Sequence, residues 1–299
     1  MKIFALSDFH GKFPKKLQKK IKREMPDLII SPGDFCGNNE LIRLFFKHAF
    51  AKEIELWEVI GKKKTKKLEL KSLNAGLRVI KKLNSFNIPV IGVEGNYDPG
   101  KYEQIGSFRK RSNWKFLDKD LFNPKIKSMK NFDNISYKSR KFNDFVLIGY
   151  PKSSYPGVIP GRKLKKEKGS SHERMNLKKR IKDQKTYSKW LDKLFKKAKS
   201  EGKKIIFLCH NVPYNTKLDK IRSKDADKRV RGEHYGDYIT RQFILKYKPL
   251  LCICGHMHEN QGKCRLGKTI IINAGPVYGG KAALIDIENK KIKSIKFLK

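Results

Sequence analysis

Five times along this chain a short apolar run stops abruptly at a glycine or a polar turn. The runs lie in MKIFALSDFHG, PDLIISPGD, IPVIGVEGNYD, KKIIFLCHN and KPLLCICGHMH. Runs of this length bounded by such turns read as buried strands. Between the first two, Phe13, Leu17, Ile21 and Met25 recur at helical spacing, which makes the opening a βαβ unit. In an open α/β sheet the carboxyl ends of the strands line one edge, where ligands bind. The polar residues that terminate the runs can therefore meet in one crevice.

Those residues are Asp8 and His10, Asp34, Asn96, His210, and His256 with His258. Four of the chain's seven histidines are among them. His256 and His258 are two apart, so on extended chain both rings point to the same side. The adjoining glycines Gly11, Gly33, Gly95 and Gly255 permit sharp turns and a close approach of backbone to the site. Carboxylate, amide and imidazole donors in this number are too many for one divalent ion and suit two ions sharing a carboxylate. Such a pair activates a water held between its members for attack on phosphorus.

The succession Asp8, His10, Asp34, Asn96, Asp98, His210, His256, His258, written D-x-H, GD, GN-x-D, H, GH-x-H, resembles the calcineurin-like metallophosphoesterases. CICGHMHENQGKCRLGKTIIINAGP also resembles the tail of small archaeal and bacterial members. The resemblance implies an α/β fold, an αββα four-layer sandwich of two mixed β-sheets flanked by helices, with a two-metal site at the strand ends. By position it implies that Asp8, His10, Asp34 and His258 hold one ion and Asp34, Asn96, His210 and His256 the other, with Asp34 bridging. Two divalent metal ions are the expected cofactors, Mn²⁺ or Fe favoured for the mixed N/O donors, with Zn²⁺, Co²⁺ and Ni²⁺ as alternatives. The expected activity is hydrolysis of phosphate esters by a hydroxide bridging the two metals. The alternatives are a nuclease using the same centre and a catalytically weak binding or scaffold member of the fold.

One position departs from the family's pattern. Strong monoesterases read GNH where this chain has Tyr97, and a phenol with an ordinary pKa near 10 is a poorer proton donor at neutral pH than imidazole. A phosphodiester is therefore favoured over a monoester. Asp98 is expected to orient a neighbour by hydrogen bonding. His234, just before a helix expected to start near Asp237, is a candidate substrate contact, and Arg229, Arg231 and Arg241 are candidate phosphate clamps.

Composition limits the remaining choices. The formal charge of +41 suits polyanions, but the basic residues are mostly lysine and run from Lys2 to Lys299, as a general lysine bias would scatter them. Nucleic acid is thus a candidate partner and a small phosphate ester the favoured one. No apolar run is long enough to span a bilayer, and no membrane partner is expected. Five cysteines with no CxxC pair read as reduced thiols in a cytoplasmic protein. With no repeat or low-complexity linker, residues 1–299 are expected to form one metallophosphoesterase domain, with candidate insertions near 51–72 and 152–204. A helix is expected from about Leu73 to Phe86. Another is expected within 161–204, with Tyr187, Trp190, Leu191, Leu194, Phe195 and Ala198 on its apolar face.

Overall fold

The structure is a computed structural model that describes residues 1–49, 54–100, 114–117, 119–151, 171–223, 228 and 231–299. The chain opens with β1 (Lys2–Ala5), α1 (Lys15–Glu24), β2 (Leu28–Ser31), α2 (Asn39–Leu44) with a π-helical turn (Phe45–Ala49), α3 (Leu56–Ile60), α4 (Lys62–Asn84) and β3 (Val90–Gly92). Next come α5 (Asn123–Ile126), β4 (Phe132–Asn134), β5 (Ser139–Phe142), β6 (Phe145–Tyr150), α6 (Ser171–Ser200), β7 (Lys204–Cys209) and α7 (Tyr238–Tyr247). The last stretch holds β8 (Leu251–Cys254), β9 (Gly262–Leu266), β10 (Thr269–Asn273), a 3-10 turn (Val277–Gly279), β11 (Ala282–Glu288) and β12 (Lys291–Leu298).

The strands form two six-stranded mixed sheets, ordered β12-β11-β1-β2-β3-β4 and β5-β6-β7-β8-β10-β9. Alternation along each strand explains how they stack. Ile3, Ala5, Leu28 and Ile30 of the first sheet meet Ile206, Leu208, Leu251 and Ile253 of the second in one buried layer. The intervening residues Phe4 and Ile29 pack outward against Leu17 and Ile21 of α1 and Leu73, Val79 and Ile80 of α4. On the far side, Ile205, Phe207, Cys209, Cys252 and Cys254 pack under Leu191 and Phe195 of α6 and Phe243 and Ile244 of α7. The result is helix, sheet, sheet, helix. Each fully buried Leu, Ile or Phe in these layers contributes about 1.5–3 kcal/mol of transfer free energy.

Two expectations need correction. The Lys-dense stretch at 51–72 is helical from Leu56 on, and the helix expected from Leu73 begins eleven residues earlier, at Lys62. Thr65, Leu68, Ser72, Gly76, Val79 and Leu83 follow one another on its buried face, while lysine, a good helix former, fills the outside. Lysine density masked the apolar stripe. On α6, Tyr187, Leu191, Phe195 and Ala198 are buried as the spacing predicts, but Trp190 is 43% exposed, its ring edge-on to Tyr137 and Tyr187. Residues 51–53, the first part of the other candidate insertion (152–170), and Arg229 lie outside the described residues. All five cysteines are free thiols. No helix of the described residues is long and apolar enough to cross a membrane.

Candidate metal centre

The carboxyl ends of β1, β2, β3, β7 and β8 deliver Asp8, Asp34, Asn96, His210 and the His256–His258 loop to one place. Backbone hydrogen bonds lock these loops together. Asp8 donates its N–H to the Gly33 carbonyl at 3.0 Å, and the N–H groups of Phe9 and His10 donate to the Asp34 carbonyl at 2.8 and 3.0 Å. The His256 N–H donates to both carboxylate oxygens of Asp8 at 3.1 Å, joining the last motif to the first. Gly255 donates to the His210 carbonyl at 2.9 Å.

Asp8, His10, Asp34 and His256 all have left-handed backbone (φ 55°, 44°, 57° and 65°). Such conformations cost of order 1–3 kcal/mol each for non-glycine residues and persist where surrounding structure enforces them. Here they cluster on four of the seven donor residues. Two glycines make the approach sterically feasible: a Cβ on Gly95 would overlap the Asp34 carboxylate, and one on Gly255 would overlap Ser7 and Asp8.

The donor atoms fall into two neighbouring groups. In the first, the Nε2 atoms of His10 and His258 are 3.2 Å apart, and His258 Nε2 is 3.3 Å from Asp8 Oδ1. In the second, Asn96 Oδ1 lies 2.9 Å from His210 Nε2 and 3.1 Å from His256 Nδ1. Asp34 Oδ2 stands between them, 3.8 Å from His10 Nε2 and 3.5 Å from His210 Nε2. Asp8 is close to both groups, since ligand atoms of Asp8, His10 and His258, and likewise of Asp8, Asp34 and His210, lie within 4.8 Å of one another. His210 Nδ1 is held by the Pro32 carbonyl at 2.7 Å, so it carries the proton and Nε2 faces the group.

The electrostatics of this cluster favour a cation. Burial pushes the Asp8 carboxyl upward, yet the imidazoles of His258, His210 and His10 outweigh it and hold Asp8 below the usual carboxylate range. Asp34 behaves alike: burial raises it, and His210 and His10 bring it lower overall. Two ionised, buried carboxylates thus sit side by side. Burial drives the pKa of His256 down to about 3, leaving a neutral imidazole, the form that binds metal. For His210 burial also acts downward, but the Asp34 carboxylate, with Asp8, pushes it up to about 10. That pull shows where the two carboxylates call for positive charge. Converging imidazole nitrogens and buried carboxylates of mixed N/O type suit first-row divalent ions.

Of the remaining candidates, Asp98 and Tyr97 touch this set. Asp98 accepts the N–H groups of Asp34 and Gly95 at Oδ2, both at 2.9 Å, and of Cys36 at Oδ1 at 2.8 Å, so it orders the Asp34 loop from behind. The Tyr97 N–H donates to Asp34 Oδ1 at 2.8 Å, and its ring stands edge-on to His10 at 5.0 Å. Burial raises the Tyr97 phenol further above its ordinary value, with the Asp34 charge adding to the effect. His234 is tied by Nδ1 to Asp219 Oδ1 at 2.7 Å, within a turn that Asp219 also braces through the N–H groups of Asn215, Thr216 and Gly236. Asp237 caps α7, where the helix was expected to start. Arg241 Nη1 donates to the carbonyls of Tyr214 and Asn215 at 3.0 and 3.1 Å.

Two residues near these motifs have roles that local sequence does not reveal. Tyr278, from the 3-10 turn after β10, places its hydroxyl 3.2 Å from His258 Nδ1. Glu94, fully buried two residues before Asn96, accepts from the side chains of Asn123 and Asn134 at 2.8 and 2.7 Å. Buried polar networks of this kind depend on partners distant in the chain.

A family model for calcineurin-like phosphoesterases matches residues 1–260, and the chain belongs to that family. The class so defined is an α/β sandwich phosphoesterase whose strand-end residues can hold metal. Over 298 residues the chain is 23% identical to an uncharacterized protein of Methanocaldococcus jannaschii, covering 97% of this chain and 96% of that one. Among solved structures it is similar to a dimetal phosphatase from Danio rerio (TM-score 0.53, 12% identity, 100% of this chain and 96% of that chain). It is also similar to a Thermus thermophilus protein (TM-score 0.50, 13% identity, 99% and 97%). At these identities the two structures attest the fold.

Proposed function

We propose that the chain is a metal-dependent phosphodiesterase whose centre takes two divalent cations, Mn²⁺ or Fe by preference. The observation that carries this reading is the convergence of seven N and O donors from five strand ends into two adjoining groups with Asp34 between them. Asp8, His10, Asp34 and His258 would hold one cation, and Asp34, Asn96, His210 and His256 the other. Bound there, the cations would place Lewis-acid charge on the phosphoryl group and lower the pKa of a water between them.

The chain's own residues do the rest. Asp34, anchored by the Tyr97 N–H and positioned through Asp98, keeps the two donor groups in register. The Pro32 carbonyl fixes the His210 tautomer. Tyr97 stays protonated at neutral pH, so its hydroxyl can donate a hydrogen bond to substrate but is a weak acid toward an alkoxide leaving group. A diester with a good leaving group needs that proton least. A small ester is preferred over nucleic acid because the lysines are spread along the chain. The cysteine usage fits a cytoplasmic setting.

The test is a panel of aryl monoesters, aryl diesters and short single-stranded RNA and DNA, each with added Mn²⁺ and with chelator. Metal-dependent turnover highest on the aryl diester supports the reading. Turnover confined to nucleic acid would replace it with the nuclease reading, and no turnover with any metal would favour the binding-protein alternative.

A further inference from the structure

Tyr278 reaches the metal centre from an unexpected direction. It sits in the 3-10 turn Val277–Gly279, and that turn is clipped onto the end of β1: Pro276 bridges Ser7, Val277 donates its N–H to the Ser7 carbonyl at 2.8 Å, and Tyr278 donates its own to the Asp8 carbonyl at 3.4 Å. The turn is held on its other side as well. Asn273, at the end of β10, donates its side-chain amide to the carbonyl of Met257, the residue between the two histidines, at 2.7 Å. Its Oδ1 accepts the N–H of Gly275 at 3.0 Å. The segment from Asn273 to Tyr278 therefore braces Asp8 and the His256–His258 loop together, although they lie 248 residues apart along the chain.

From this anchored backbone the Tyr278 ring packs edge-on against His258, with ring centres 5.5 Å apart, and tilts toward His10 at 5.4 Å. Its hydroxyl lies 3.2 Å from His258 Nδ1, while Nε2 of the same imidazole faces Asp8 and His10. A histidine presents a lone pair at one ring nitrogen when the other carries the proton and finds an acceptor. For His210 that acceptor is the Pro32 carbonyl; for His258 the phenolic oxygen of Tyr278 stands where such an acceptor is needed. Once the phenol oxygen accepts from Nδ1–H, its own proton must point elsewhere, and the residue is 41% exposed.

We infer that Tyr278 is a positioning residue of the metal centre, holding His258 in the tautomer whose Nε2 is free to ligate and turning its own hydroxyl proton outward, toward an incoming phosphate oxygen. The inference rests on the reading of the strand-end cluster as a cation site. It goes beyond that reading by giving a role to a residue outside all five motifs. Loss of such an outer partner typically weakens metal binding by about 10- to 100-fold.

The experiment is calorimetric titration of Mn²⁺ into chelator-stripped wild type, Tyr278→Phe and Tyr278→Ala, with Co²⁺ absorption spectra recorded on the same proteins. The expected result is a weakening of one binding step by about 10- to 100-fold in both variants, with an altered Co²⁺ spectrum in Tyr278→Phe and an unchanged melting temperature of the stripped protein. Tyr278→Phe binding as wild type does, with or without a loss in Tyr278→Ala, would overturn the inference, because the ring and not the hydroxyl would then be what matters. Wild type that takes up no cation at all would overturn the metal-site reading and the inference with it. Wild-type uptake alongside an unaffected Phe variant sinks the Tyr278 role alone.

Discussion

The carboxylate of Asp98 accepts the backbone N–H of Asp34 at 2.9 Å, so one acidic residue sets the position of another that stands between the two donor groups. Asp98 does this with no exposure to solvent and serves two further N–H groups, those of Gly95 and Cys36. Asp98→Asn would turn an N–H₂ toward at least one of these donors. The expected cost is about 1–3 kcal/mol of stability, the penalty for a buried donor left unpaired. Metal affinity should also fall by roughly 10- to 100-fold, as for other residues that orient ligands. Urea unfolding of the stripped protein and Mn²⁺ titration measure the two effects separately; wild-type values in both would show that the Asp34 loop holds its shape unaided.

Glu94 provides a pH-dependent signature. Burial drives its carboxyl up to about 7, against the opposing hydrogen bonds from Asn123 and Asn134. Its folded pKa exceeds its unfolded one, so between about pH 4.5 and 7 the native state binds more protons. Stability from this group is therefore full at low pH and lost as pH rises through 7, by roughly 3 kcal/mol at most. Glu94→Gln should remove that slope: its stability relative to wild type should grow from pH 5 to pH 8. Parallel curves for the two proteins over that range would contradict the assignment.

Tyr97 provides a catalytic signature. A positioned general acid typically contributes about 10²- to 10⁴-fold, and a dianionic monoester with a poor leaving group gains most from one. Wild type should turn over an aryl diester faster than the matching monoester, and Tyr97→His should move the ratio toward the monoester by roughly tenfold or more. Initial rates on both substrates decide this. If wild type already prefers the monoester and the substitution leaves the ratio unchanged, the diester assignment fails.

The net charge of +41 leads to a separate expectation. Scattered lysines should bind single-stranded nucleic acid weakly, with affinity falling steeply as salt increases and no metal-dependent cleavage. Fluorescence anisotropy across a salt series tests it. Tight binding that survives physiological salt, accompanied by metal-dependent cutting, would point to a nucleic-acid substrate.

Much of this arrangement could be read from local sequence, for a physical reason. A buried strand ending in glycine and a metal-type donor announces itself within ten residues, which is why Asp8, Asp34, Asn96, His210 and His256 could all be placed at strand ends in advance. The four-layer stacking came from a family resemblance, because which sheet faces which depends on contacts across the whole chain. α4 was read too short because its lysines hid a stripe made partly of Thr65, Ser72 and Gly76, small residues that pack well but score poorly as apolar. Arg241, a candidate phosphate clamp in the sequence, turns its Nη1 to two carbonyls, since the sequence does not tell where a guanidinium points. Tyr278 lies outside every motif, and Glu94, although within IPVIGVEGNYD, acts on Asn123 and Asn134 from other elements, so neither role shows in local sequence.

A centre for two cations with Asp34 shared between them has a countable consequence. The number of divalent ions held per chain is counted after the stripped protein is loaded with Mn²⁺ and passed through a desalting column, for wild type and Asp34→Asn. Two ions per wild-type chain are expected, falling to one or fewer in Asp34→Asn, because both donor groups lose the carboxylate between them. Wild type retaining one ion or none, or Asp34→Asn retaining two, would contradict such a centre.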